Sequence, residues 1–328
     1  MFQIPTVLTA QEILDKGFRR VRKAKGKGRT ALERSKALSI SRVDSFSETV
    51  RSSLRKIYES FPTMEYLSAF YWELIDILAG VDEVKGNLGS IRWAYVRVGE
   101  FAGKAKAAIL RSGHKEGVDK ARKACYGRVS SLLEDVDGSL RFLNDVRNSL
   151  RRLPVVDPNM PTIVVAGSPN VGKSQLVRVV SSGRPTVASY PFTTLDLSLG
   201  HFELDGTRYQ IMDTPGLLDR PLYKRNEIER KALVALTHLA NVVIFLLDPT
   251  GTCGYPMVDQ EALLGELKEL FSTTPILEVE NKSDLGPGTG VRIQVSALTG
   301  QGIDELMREV LSELTSPAPE GEPPSEAE

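Results

Sequence analysis

Apolar positions fall into two regimes along the 328-residue chain, and the pattern changes near Met160. Before it, they recur at three and four residues, the repeat of a helix face. Tyr66, Phe70, Leu74, Ile77 and Leu78 follow this rule between Thr63 and Ala79. A longer stripe runs through Val118, Ala121, Cys125, Val129, Leu132, Val136, Leu140, Leu143, Val146 and Leu150. It predicts one continuous helix from Val118 to Leu150, about 50 Å long at the usual rise, with its stripe in the core of a helical bundle. Pro154 and Pro158 end the helical run.

Beyond Met160 the runs become short and β-branched. TIVVA (162–166), NVVIFLL (241–247), PILEV (275–279) and VRIQV (291–295) read as buried strands. DLSLGHFEL and TRYQIMD alternate apolar with polar around Asp205-Gly206, a hairpin signal. Helical stretches lie between, which predicts an α/β domain with a mostly parallel six-stranded sheet and one antiparallel strand. The expected organisation is a helical domain over 1–155, an α/β domain over 156–314, and a disordered tail over 315–328. That tail has four prolines, four glutamates and no large apolar residue.

Composition changes this picture little until it is divided. Hydrophobic residues make up 41% and charged residues 26%, ordinary for a globular chain. No apolar run is long enough for a transmembrane helix, the N-terminus has no signal-peptide pattern, and two cysteines cannot build a disulfide framework. A cytoplasmic protein is expected. The net charge is zero, yet residues 1–160 hold 29 Lys/Arg against 19 Asp/Glu, while the remainder holds 13 against 23. Eight of the fourteen residues from Lys16 to Arg29 are basic and none is acidic, with Gly26 and Gly28 suggesting a flexible loop. Such a cluster either solubilises a face or meets a phosphate backbone.

Candidate chemistry concentrates at strand ends. Gly167-Ser168-Pro169-Asn170-Val171-Gly172-Lys173-Ser174 follows the first strand and leads through Gln175 into a helix, the context of a phosphate-binding loop. Its backbone N–H groups would surround phosphate oxygens, Lys173 would neutralise the β- and γ-phosphates, and Ser174 would ligate Mg²⁺. Asp213-Thr214-Pro215-Gly216 ends another strand. Alone it is a turn; beside a phosphate loop, Asp213 can hold Mg²⁺ through water and the Gly216 N–H can reach a γ-phosphate. Asn281-Lys282-Ser283-Asp284 and Ser296-Ala297-Leu298 follow two further strands. A carboxylate at Asp284 accepts from the two adjacent donors on the edge of guanine and meets only mismatch on adenine. Asn281 would tie this loop to the phosphate loop, and the Ser296–Leu298 backbone would meet the guanine oxygen. Four such elements in one order make coincidence remote.

These residues resemble a Ras-like GTPase of the translation-factor-related kind, within the Obg group. The closer likeness, in GSPNVGKSQLVRVVSSGRPTVASYPFTT, GHFELDGTRYQIMDTPGLLDRPLYKRNEIERKALVAL and DPTGTCGY, is to the nucleolar GTP-binding protein 1 (Nog1) family and its archaeal members. The resemblance implies that Tyr190–Thr194 is a first switch with Thr194 sensing Mg²⁺ and the γ-phosphate, Thr193 being the alternative. It makes 216–230 the second switch. Leu217 stands where Ras-type enzymes place a water-orienting Gln, so slow hydrolysis is expected. Asn170 is either a loop-stabilising amide or, as in some similar enzymes, a K⁺ ligand. Lys173, Thr194, Gly216 and Asn170 are thus the catalytic candidates. The implied ligands are GTP or GDP, Mg²⁺ and, through Asn170, K⁺. The implied partners are a large ribosomal subunit precursor and its rRNA, with no membrane or DNA and a monomeric chain. The competing reading is a non-enzymatic rRNA-binding assembly module that uses GTP as a structural ligand.

Overall fold

A computed structural model describes residues 4–151, 156–189, 196–221, 223, 225–290 and 292–315. They divide into two compact units, Met1–Leu67 with Leu78–Arg151, and Ser68–Ile77 with Arg152–Glu328. Among the described residues six α-helices precede the sheet: α1 (Ala10–Val21), α2 (Ala31–Ser60), α3 (Ala69–Ala79), α4 (Val81–Arg111), α5 (Lys115–Asp135) and α6 (Asp137–Leu150). The segment 68–77 groups with the second unit, not with the helical one as a boundary at 155 would have it. Its Tyr71 hydroxyl donates to the Val156 carbonyl at 2.7 Å.

In the helical unit, α1 and α2 each open with a capping box, Thr9 with Glu12 and Thr30 with Glu33. Val43, Phe46, Val50 and Leu54 of α2 are buried with Ile91, Ala94 and Val98 of α4 and Val129 and Leu133 of α5. The long stripe from Val118 is two helices and not one. Val136 (φ −98°, ψ 6°) leaves helical geometry between α5 and α6. The physical reason is a competing partner. Asp137 Oδ1 accepts the Ala10 N–H that opens α1 at 2.7 Å, and Oδ2 accepts from Arg141 Nε at 2.6 Å. Gly138 beside it further weakens a continuous helix. Gly26 and Gly28 lie in the irregular connection between α1 and α2, close against the α2 backbone. A Cβ on Gly26 would lie 2.3 Å from the Leu38 nitrogen, and one on Gly28 would lie 2.7 Å from that of Arg34. All eight basic side chains from Lys16 to Arg29 are exposed, whereas Phe18 among them leans on Phe46 and Tyr126.

The second unit contains β1 (Thr162–Ala166), α7 (Lys173–Val180), β2 (Thr186–Ser189), β3 (Asp196–Leu204), β4 (Thr207–Asp213), α8 (Glu227–Thr237), β5 (Val242–Leu247), α9 (Met257–Leu270), β6 (Ile276–Glu280), β7 (Ile293–Gln294) and α10 (Ile303–Thr315). The sheet order is β2-β3-β4-β1-β5-β6-β7. Among the described residues only β3 runs against the others, pairing antiparallel with β2 and β4. The short strand β2 adds a seventh to the six expected. Asp205 (φ 50°) and Gly206 (φ 77°) make the hairpin turn, whose two central residues both need positive φ. Ile163, Val165, Leu176, Ile244, Leu246 and Val279 form the core on one sheet face. Because β1, β4, β5, β6 and β7 run the same way, their carboxyl ends lie along one edge, where α/β sheets bind ligands. Helix α10 continues through Thr315, the first residue of the expected tail; 316–328 lie outside the described residues.

Candidate nucleotide-binding site

The β1 carboxyl end feeds a loop that α7 closes at Lys173. Gly172 (φ 106°) stands so close to Asn281 that an added Cβ would be 2.2 Å from its Nδ2. Lys173 is buried, and its Nζ donates to the Gly167 and Ser168 carbonyls at 2.9 Å each. Burial pushes this ammonium below its usual range, while the Asp219 and Asp213 carboxylates act the other way. Ser174 Oγ donates to Asp213 Oδ2. The other carboxylate oxygen, Oδ1, is buried with no hydrogen-bond partner among the described residues. Burial pushes Asp213 above the usual carboxylate range. An orphaned hard oxygen beside a serine hydroxyl fits a Mg²⁺ ion that keeps several waters.

At the carboxyl end of β6, Asn281 is buried and bridges two loops. Its Nδ2 donates to the Val171 carbonyl at 2.7 Å, and its Oδ1 accepts the Ala297 N–H at 2.9 Å. Ser296 Oγ donates to Asp284 Oδ1 at 2.6 Å, with the Asp284 side chain exposed at the rim. Lys282 takes a positive φ of 67°, and its Nζ donates to Asp248 Oδ2 at 2.7 Å and Thr252 Oγ1 at 2.8 Å. Asp248 also accepts from the Thr250 and Thr252 hydroxyls and the Cys253 N–H. Burial alone would raise its carboxyl, but Lys282 and these donors hold it at about 2. Glu280 points away, accepting from the Thr289 N–H at 2.8 Å.

The loops holding Lys173, Ser174, Asp213, Asn281, Asp284, Ser296 and Ala297 therefore meet along one edge of the sheet. Ser168, Pro169 and Gly216 line a cavity of about 590 Å³ beside them. Asn170 is exposed with φ 62°, Gln175 is half-buried on α7, and Leu298 is exposed. Thr193 and Thr194 lie outside the described residues, as does the rest of Tyr190–Thr194. Leu217 is buried. Two residues carry more than sequence reasoning assigned them: Asp248, the anchor of Lys282, and Asp219, whose Oδ2 accepts the Gly216 N–H at 2.6 Å. Asp248 falls within the quoted DPTGTCGY, the one available signal; Asp219 follows its glycine like any turn residue.

Comparison with known proteins matches residues 2–157 to the NOG1 N-terminal helical domain and 227–284 to nucleolar GTP-binding protein 1. Residues 161–252 match the ferrous iron transport protein B model. An uncharacterized protein of Methanocaldococcus jannaschii is 35% identical over 86% of this chain and 80% of its own length. The chain belongs to the nucleolar GTP-binding protein 1 family. Nucleolar GTP-binding protein 1 of Arabidopsis thaliana is 36% identical over 78% of this chain but 38% of its own length, so the chain spans well under half of that relative. A Plasmodium falciparum crystal structure described under the same family name superposes with a TM-score of 0.45 at 32% identity, covering 49% of this chain and 90% of that one. The fold is a Ras-like P-loop GTPase domain with a mostly parallel sheet, preceded by the family's helical domain. The family name corrects the cytoplasmic expectation. The eukaryotic members are called nucleolar, which points to the nucleolus in those organisms, a destination that a missing signal peptide does not address.

Proposed function

We infer that the chain binds GTP with Mg²⁺ and hydrolyses it slowly to GDP and phosphate, using the nucleotide state to time its stay on a large ribosomal subunit precursor. The observation that carries the reading is Asn281, one buried amide joining the phosphate loop at Val171 to the base loop at Ala297. In this reading, the backbone donors of 168–175 cradle the phosphates, and Lys173 leaves two loop carbonyls to neutralise the β- and γ-oxygens. Asp284 accepts from the guanine edge, with Lys282 beneath the base. Ser174, Asp213 and Thr194 would hold Mg²⁺, which supplies positive charge where the transferred phosphoryl group needs it. Asn170 is the candidate K⁺ contact. The exposed basic residues 16–29 are assigned to rRNA phosphates. The domains are taken as 1–155 and 156–314, with 68–77 grouping with the second, and the chain as monomeric.

Calorimetry with GTP, GDP and ATP tests the first step. Micromolar or tighter binding of the guanine nucleotides alone is expected, and binding of all three alike overturns it. The buried Leu217 offers no polar group to attacking water and so favours, as a second reading, a non-enzymatic module with GTP as a structural ligand. Single-turnover hydrolysis with ribosomal subunits, in K⁺ and then in Na⁺, separates the two: no turnover in either supports the second.

A further inference from the structure

The Gly216 N–H, assigned above to the γ-phosphate, already has an anionic partner in Asp219 Oδ2 at 2.6 Å. Asp219 and Gly216 line the same cavity as Ser168 and Pro169 of the phosphate loop. A carboxylate thus occupies the donor that a third phosphate needs. We propose that Asp219 is an internal stand-in for the γ-phosphate, displaced by a nucleoside triphosphate and left in place by a diphosphate, so that it sets the preference between GTP and GDP.

The structure also offers the displaced carboxylate a destination. Arg225 is buried, and its Nε and Nη1 have no hydrogen-bond partner among the described residues. Among the described residues only Nη2 is used, donating to the Arg220 carbonyl. A buried guanidinium with idle donors is costly and favours an arriving anion. Asp219 already acts on it electrostatically, and burial holds the Arg225 guanidinium down at about 10. Asp219 likewise acts on the Lys173 ammonium, more strongly than Asp213 does. When the γ-phosphate takes the Gly216 N–H and faces Lys173, Asp219 is repelled from one side and drawn by Arg225 from the other. Both residues fall within 216–230, the second switch that the family resemblance implies, so the exchange of partners would move it.

This inference rests on the guanine-nucleotide reading, and its test keeps the two apart. The full chain, Asp219→Asn and Asp219→Ala are titrated calorimetrically with GDP and with a non-hydrolysable GTP analogue, in Mg²⁺. Loss of a charge-assisted competitor raises the ratio of analogue to GDP affinity about tenfold in the alanine variant, and by less in the near-isosteric asparagine variant. A ratio unchanged in both, or a parallel loss of both affinities, overturns the stand-in and leaves only a turn-capping aspartate. Should the alanine variant fail to fold, the asparagine variant decides alone. Wild-type protein that binds neither ligand overturns the function reading and this inference together.

Discussion

Gly172 combines two demands that only glycine meets, a φ of 106° and a position where an added Cβ would lie 2.2 Å from the Asn281 amide nitrogen. Gly172→Ala strains the backbone and pushes Asn281 off the Val171 carbonyl, so guanine-nucleotide affinity should fall at least about tenfold, read by fluorescent-GDP titration. The Asp248–Lys282 pair makes a prediction in pH. Asp248 is held at about 2, against an ordinary value of 3.8. A depressed carboxyl stabilises the fold above its unfolded pKa, and that stability drains as pH falls through the folded value. Asp248→Asn should therefore cost about 2 kcal/mol at neutral pH, the gap to wild type closing as pH falls toward 2; urea unfolding across that range measures it. At this scale the residues that meet at the sheet edge were legible because each follows a strand end at a fixed motif spacing. Asp248 was not, because its partner lies 34 residues away and spacing carries no sign of it. Asp219 was not, because its bond is local and looks like any turn.

Among the elements, the hairpin and the buried strands β1 and β5 were legible from alternation and β-branching. The helix interruption at Val136 was not, since a hydrophobic stripe continues across one non-helical residue when both helices face one core. Its signal was polar: Asp137, bound to the first N–H of α1. The Ala10 N–H, followed by Arg141, holds the Asp137 carboxyl below its usual range. Asp137→Ala should lower stability by about 1 kcal/mol at neutral pH. The wild type should lose the same increment on acidification, as the carboxyl protonates; paired thermal melts at neutral and acidic pH check this. Strand β2 escaped notice because TVAS has only one large apolar residue and pairs only with β3 among the described residues.

Across the whole molecule the charge divides, 29 basic to 19 acidic residues before Pro161 and 13 to 23 after. Exposed Arg22, Lys23 and Lys25 lie in the densest part. Reversing these three to Glu should lower the slope of log affinity for rRNA against log salt by about 2, counting roughly 0.7 per lost phosphate contact. Filter binding across a salt series measures it; an unchanged slope removes this segment from the RNA interface. The two-part organisation was legible in the change of hydrophobic period at Met160. The membership of 68–77 in the second unit was not, because a helical period does not say which core a helix joins.

The Asn281 amide has a kinetic corollary. Two loops fastened to each other by the protein's own bonds need no ordering by the guest, so little entropy is left to lose on arrival. Exchange of one nucleotide for another then turns on how fast the old one departs a ready-made cleft, and Asn281→Ala should slow the arrival step.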